Sequence, residues 1–151
     1  MAADTRRNDY HWVQWLALAV GATYTLVGLV GFAITGFDRF AEHTGDTLVG
    51  FEINPLHNIV HLVIGLLGLA MWRRFDTART YGWMLAVGYG AAFVLGLVII
   101  GDEDKNFLSL NVADQFLHIG SALVGLAMAL AKPGQGAGRT SDSPRRTRAA
   151  R

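Results

Sequence analysis

The sequence predicts an all-α membrane protein: four transmembrane helices forming two pseudo-symmetric helical hairpins, with the N and C termini in the cytoplasm. Three observations carry that prediction. Four long apolar stretches recur along the chain, Lys and Arg fall almost entirely to one side of them, and the second and fourth stretches resemble one another residue by residue.

A hydrocarbon core about 30 Å thick takes roughly 20 apolar residues to cross as a helix. Trp12 to Thr35 holds no Asp, Glu, Lys or Arg, and the only ionisable residues from Pro55 to Trp72 are His57 and His61. Tyr81 to Ile100 is uncharged, and Val112 to Ala131 contains Asp114 and His118. Helices of a soluble core keep a polar face; the first and third stretches have no charged residue on any face. The expected helices are about 11–36, 54–74, 79–101 and 110–131. The segment from Phe37 to Ile53 belongs outside the bilayer, with Phe37, Phe40 and Phe51 suited to a short interfacial helix.

Orientation follows from charge, because short cytoplasmic loops collect Lys and Arg. Arg6, Arg7, Arg73, Arg74, Arg79, Lys132, Arg139, Arg145, Arg146, Arg148 and Arg151 lie on one side, against Arg39 and Lys105 on the other. Eleven cations against two make the first side cytoplasmic. Trp12, Trp15, Trp72 and Trp83 fall at that same boundary, as an aromatic belt does. Asp38, Glu42, Asp46, Glu52, Asp102, Glu103 and Asp104 collect on the outer side and read as solvated acidic loops. The predicted location is the plasma membrane.

Composition agrees with this organisation. The chain has 151 residues, 52% of them apolar, with 18 Gly and a net charge of +1. No Cys is present, which excludes disulfides, thiolate metal sites and Cys nucleophiles. Arg6-Arg7 precedes an apolar run longer than an export signal carries, so that run reads as a retained first helix. Residues 1–10 form a cytoplasmic N-terminal segment, 11–131 the transmembrane domain, and 132–151 a basic cytoplasmic tail expected to be disordered. The arginines of that tail suit anionic lipid headgroups, and no nucleic-acid partner is expected. The lipid bilayer is the expected partner; a homodimer or a larger membrane complex is compatible with the sequence.

The second and fourth stretches align without a gap over 18 positions, from Asn54 and from Asn111, with seven identities. The first and third share Leu-Ala-Val-Gly, at Leu18–Gly21 and Leu85–Gly88, and a later Gly-Leu-Val offset by one residue. The chain therefore reads as a duplicated hairpin whose copies insert the same way up.

At 100° per residue, Asn54, His57, His61, Gly65 and Gly68 lie within about 40° of His61 on one helix face. Asn111, Asp114, His118, Ala122 and Gly125 occupy the same stripe of the second copy. Small residues let transmembrane backbones approach closely, so these two helices are expected to pack together. That packing brings His57, His61, Asp114 and His118 into one cluster in the outer half of the bilayer. Asn54 with Pro55 is a helix start, and Asn111 with Asp114 resembles a capping box. His61 and His118 lie roughly 10 Å inside the helix start, where ionisable groups face the bundle interior and mark function.

Three readings of the cluster stand open. The side chains hydrogen-bond to one another and hold the bundle together. Alternatively, three imidazole nitrogens and one carboxylate close a tetrahedral site for zinc or another transition-metal ion; haem between His61 and His118 is a disfavoured variant, for want of room. In the third reading, the cluster titrates as a proton relay or sensor. No Ser or Thr nucleophile stands beside these groups in the pattern and no Gly-rich phosphate loop exists, so the protein reads as non-enzymatic. It is either a small metal-binding or sensing module or an accessory subunit of a membrane assembly, with a proton- or ion-coupled transporter component as a further alternative.

The segment N-P-x-H-N-x-x-H, carried by Asn54, Pro55, His57, Asn58 and His61, and the later N-x-x-D-x-x-x-H, carried by Asn111, Asp114 and His118, resemble a known group. They are similar to small four-helix bacterial membrane proteins catalogued as DUF4383, a domain of unknown function. The resemblance covers roughly residues 10–131. It implies a fold and a membrane location, and no activity.

Overall fold

A computed structural model describes residues 10–133. Within them run four helices, α1 (Trp12–Thr35), α2 (Pro55–Met71), α3 (Phe75–Ile99) and α4 (Val112–Leu130). A two-stranded ribbon, β1 (Thr47–Leu48) and β2 (Phe51–Glu52), lies between α1 and α2. The expected disordered tail falls outside the described residues from position 134 onward.

Three of the four helices start on a side-chain cap. His11 caps α1: its ring accepts from the Val13 N–H at 3.4 Å, while Gln14 Oε1 accepts from the His11 N–H at 3.0 Å. Gly36, at φ 61°, ends α1 in a conformation that favours glycine. Asn54 and Asn111 cap α2 and α4 through their side-chain oxygens, accepting from His57 N at 2.8 Å and Asp114 N at 3.1 Å. Asp114 completes the second cap by accepting from Asn111 N at 2.8 Å, so its capping box forms as the sequence suggests.

Two helix boundaries and one loop differ from expectation, the first being the end of α2, at Met71 rather than near 74. α3 begins at Phe75 rather than near 79, because Arg74, Asp76 and Arg79 stand in its first turns and are tolerated at a membrane boundary. Thr77 Oγ1 secures that tight connection by donating to Met71 O at 2.6 Å and Arg74 O at 3.0 Å. In the segment between α1 and α2 a ribbon replaces the expected interfacial helix. Thr47 pairs with Glu52 and Leu48 with Phe51, across a turn in which Val49 and Gly50 both have positive φ. A two-residue turn of that hand matches the twist of paired strands, and Gly50 makes it accessible.

Three of the helices, α1, α3 and α4, are long and apolar enough to cross a membrane; α2, at 17 residues, is an apolar helix below that length. Burial is inverted relative to a soluble domain. Leu97 is 67% exposed and Phe116 74%, whereas Asn54 and Asn58 are fully buried. Apolar surface outside and polar groups inside suit lipid as the solvent.

α1 lies along α2 and α3 along α4; contacts across the two pairs, between α1 and α3 and between α2 and α3, are slighter. The expected packing of α2 on α4 is not what forms. Their small-residue stripes are spent within the chain-adjacent pairs instead. A Cβ on Gly68 would stand 2.8 Å from the Gly21 Cα, and one on Gly125 would stand 2.6 Å from the Ala86 nitrogen. Antiparallel neighbours reach backbone contact there, and only small residues permit it.

The two ends of the bundle differ in chemistry. At one, Gln14 Nε2 donates to Arg73 O at 2.8 Å, and the Arg79 guanidinium donates to Ala129 O at 3.2 and 3.0 Å. At the other, the long loops interlace. Asn54 Nδ2 donates to Glu42 O at 3.0 Å and to Phe107 O at 2.8 Å, and Asn111 Nδ2 donates to Gly50 O at 2.9 Å. The caps of α2 and α4 thus each grip the loop of the other helix pair.

Candidate functional site

Beneath the interlaced loops lies a buried polar layer. His57, His61, Asp114 and His118 are each no more than 4% exposed. His57 Nδ1–H donates to Leu108 O at 3.0 Å, which leaves Nε2 of the neutral ring as the lone-pair nitrogen. The Nδ1 atoms of His61 and His118 and Oδ1 of Asp114 are buried without a protein partner. Buried polar atoms are ordinarily paired, because leaving one unpaired costs about 1–3 kcal/mol.

Aromatic rings connect the histidines. His57 lies 4.5 Å from His61 between ring centroids, His61 lies 5.1 Å from Tyr24, Tyr24 stacks on Tyr89 at 5.4 Å, and Tyr89 lies 5.6 Å from His118. Each deeper histidine therefore rests on the tyrosine of the helix paired with its own. The Tyr24–Tyr89 stack bridges the seam between the two pairs. Tyr24 Oη also shares a hydrogen bond of 2.8 Å with Ser121 Oγ, joining α1 to α4.

Two of the cavities beside this ladder reach the polar layer. The smaller, of about 140 Å³, is lined by His57, His61, His118 and Tyr89. The larger, of about 610 Å³, lies between α1, α4 and the ribbon, and His61 and Asp114 both line it. The expected quartet is thus divided. His57, His61 and His118 share one cavity, while Asp114 faces the other, and His61 borders both. Among the described residues, no group of three or more His, Asp or Glu side chains stands in a constellation able to hold a metal ion without moving.

The amide positions between caps and histidines also matter. Asn58 Nδ2 donates to Thr35 Oγ1 at 2.9 Å, and Gln115 Nε2 donates to Phe93 O at 2.9 Å. Their side chains fill the space that a Cβ would take on Gly31 and on Gly96 respectively. Tyr24, Tyr89, Gln115 and Ser121 escaped the sequence reading. One signal was available: belt tyrosines mark helix ends, and Tyr24 and Tyr89 sit mid-helix.

In the acidic loops, Glu52 pairs with His43 at 2.6 Å and Arg39 with Asp46 at 3.9 Å. Lys105 donates to Asp102, and that hydrogen bond holds the Asp102 carboxyl below its ordinary value.

Apolar helices with outward-facing aliphatic side chains around a buried polar layer define a membrane protein. The chain belongs to the family described as Domain of unknown function (DUF4383), whose model matches residues 14–131. That match takes in all four helices except the first residues of α1 and includes every member of the polar layer. Comparison with curated proteins finds no match, and comparison with solved structures finds none either.

Proposed function

We propose that this chain is a non-enzymatic, four-span protein of the plasma membrane that serves as a small binding module, with its site in the outer half of the bundle. One observation carries the reading. His61 and Asp114 are buried at the border of a 610 Å³ cavity, and each has a polar atom that the protein itself leaves unpartnered. Buried polar atoms left unpaired beside a cavity are the ones a ligand in that cavity would satisfy. A pocket of this size with mostly apolar walls and a few convergent polar groups is the usual form of a ligand site.

Four spans are supported by the course of the chain. α2 rises about 26 Å at 1.5 Å per residue, and Trp72 with Arg73 and Arg74 anchors its end, so a mismatch of a few ångströms is readily absorbed. The end bearing Arg73, Arg74, Arg79 and Lys132 then lies in the cytoplasm by the charge rule. Duplication of a hairpin is supported by the matched caps Asn54 and Asn111, the matched histidines His61 and His118, and the tyrosine beneath each histidine. Tyr24 with Tyr89, and Gly31 with Gly96, share one register; the Leu-Ala-Val-Gly match lies two residues outside it.

Stability provides the test. A ligand that binds only the folded protein raises its melting temperature. Full-length protein purified in mild detergent should melt higher than the same protein after exhaustive delipidation, and returning the organic extract should restore the difference. His61→Ala should abolish that response. An extract without effect on the wild-type melting temperature would overturn the binding reading.

A second reading, a zinc or similar transition-metal site, is favoured by the smaller cavity. There His57 offers Nε2 while its Nδ1–H is held by a carbonyl, the arrangement that orients a metal-ligating imidazole. His61 and His118 complete the set once their rings turn toward it, and Asp114 is not among the ligands.

A further inference from the structure

The larger cavity has a shape and chemistry that specify its occupant. Its walls are apolar, built from Val27 and Val30 of α1, Leu117 of α4, and Leu48 and Phe51 of the ribbon. Leu26, Val30 and Val49 belong both to this lining and to the exposed surface, so the cavity opens sideways between α1 and α4 toward the lipid. The Tyr24–Ser121 hydrogen bond ties α1 to α4 across its lining. Of its lining residues, Asp114 and His61 each carry a buried polar atom without a protein partner, Oδ1 and Nδ1 respectively.

We propose that this cavity binds a neutral, hydroxyl-headed amphiphile drawn from the bilayer, its hydroxyl placed between Asp114 and His61 and its apolar body along α1 and α4. The inference rests on the binding reading above and names the ligand class. A hydroxyl both donates and accepts, so it satisfies a carboxylate oxygen, which accepts, together with an imidazole in the tautomer that carries its proton on Nδ1, which donates. No Lys or Arg lines the cavity, so a phosphate or carboxylate head would meet Asp114 without a counter-charge. A quaternary ammonium head has no hydrogen to give Asp114 Oδ1. A primary ammonium would have to lose its water to form a buried ion pair, which recovers little of that cost. The sideways opening admits a tail directly from lipid, with no passage through water.

Photolabelling tests the assignment. The probe is hexadecanol carrying a diazirine on its chain, added to the full-length protein in phosphatidylcholine nanodiscs and mapped by peptide mass spectrometry. Labelling should be saturable, should fall on α1, α4 and the ribbon, and should be displaced by hexadecanol but not by hexadecane. Val27→Trp, which fills the cavity without touching the polar groups, should abolish it. Asp114→Asn keeps an oxygen for the cap but puts an amide donor on the side chain, and should weaken labelling roughly tenfold. Competition by hexadecane equal to that by hexadecanol, stronger competition by hexadecylamine, or undiminished labelling of Val27→Trp would each overturn the proposal. An extract that restores melting temperature while hexadecanol fails to bind would reject this ligand class and leave the binding reading intact.

Discussion

Asn54 and Phe107 are joined across the two helix pairs: the amide of Asn54 donates to the Phe107 carbonyl at 2.8 Å while its oxygen caps α2. One side chain thus starts a helix and fastens the loop of the opposite pair over the polar layer. Asn54→Ala removes both functions, and Asn54→Asp removes only the bridge, since Asp caps equally well. Loss of the cap costs about 1 kcal/mol, and the two orphaned carbonyls add about 1–3 kcal/mol each if they stay buried. Chemical unfolding in detergent should rank wild type above Asn54→Asp, and Asn54→Asp above Asn54→Ala. An Asn54→Asp variant as stable as wild type would show that the bridge contributes nothing.

Backbone contact within the helix pairs gives a second prediction. Gly125→Val places a branched side chain where a single Cβ already comes within 2.6 Å of the Ala86 backbone nitrogen. Forced separation of α3 from α4 should cost at least about 1–3 kcal/mol. Gly120→Ala, one turn away on an open face with no atom within 4 Å, should be neutral or slightly stabilising by helix propensity. Thermal melts of the two variants that coincide would refute the close approach.

Metal content separates the two site readings. If the smaller cavity is a metal centre, protein purified without chelators should carry about one equivalent of metal per chain. His57→Ala, His61→Ala and His118→Ala should each empty it, while Asp114→Asn should not. Occupancy should fall on acidification, because protonated imidazoles cannot ligate. Elemental analysis that finds no transition metal at neutral pH would sink the centre.

Topology is open to direct labelling, since the chain has no Cys. Single cysteines at Glu103 and Arg74 should react from opposite sides of the intact membrane, with Glu103→Cys accessible to an impermeant maleimide from outside. Reaction of both from the same side is incompatible with the four-span arrangement.

Much of the architecture was legible because it depends on near neighbours in the chain. Asn54-Pro55 and Asn111 with Asp114 announce helix starts through hydrogen bonds that close within three residues, and both caps form. The buried histidines were legible as well, since an ionisable group set into an apolar stretch has few places to go but inward. The start of α3 was not, because hydropathy weighs Arg74, Asp76 and Arg79 against a span although a helix passes through them at the boundary. The ribbon at Thr47–Glu52 depends on the backbone conformation of Val49 and Gly50, which periodicity does not register.

By itself the sequence determined the course of the helical segments, the caps of α2 and α4, the inward placement of His57, His61 and His118, and the segregation of positive charge to one end. Only the tertiary structure decided which faces meet. A stripe of small residues says that a helix backbone will be approached closely, but not by which neighbour. Gly68 and Gly125 meet α1 and α3, the helices that precede their own in the chain, rather than each other. That choice turns His61 and His118 onto Tyr24 and Tyr89 and sends Asp114 to a separate cavity. Relations between side chains on different helices depend on helix rotation and separation, which packing over the whole bundle sets and no local run of residues encodes.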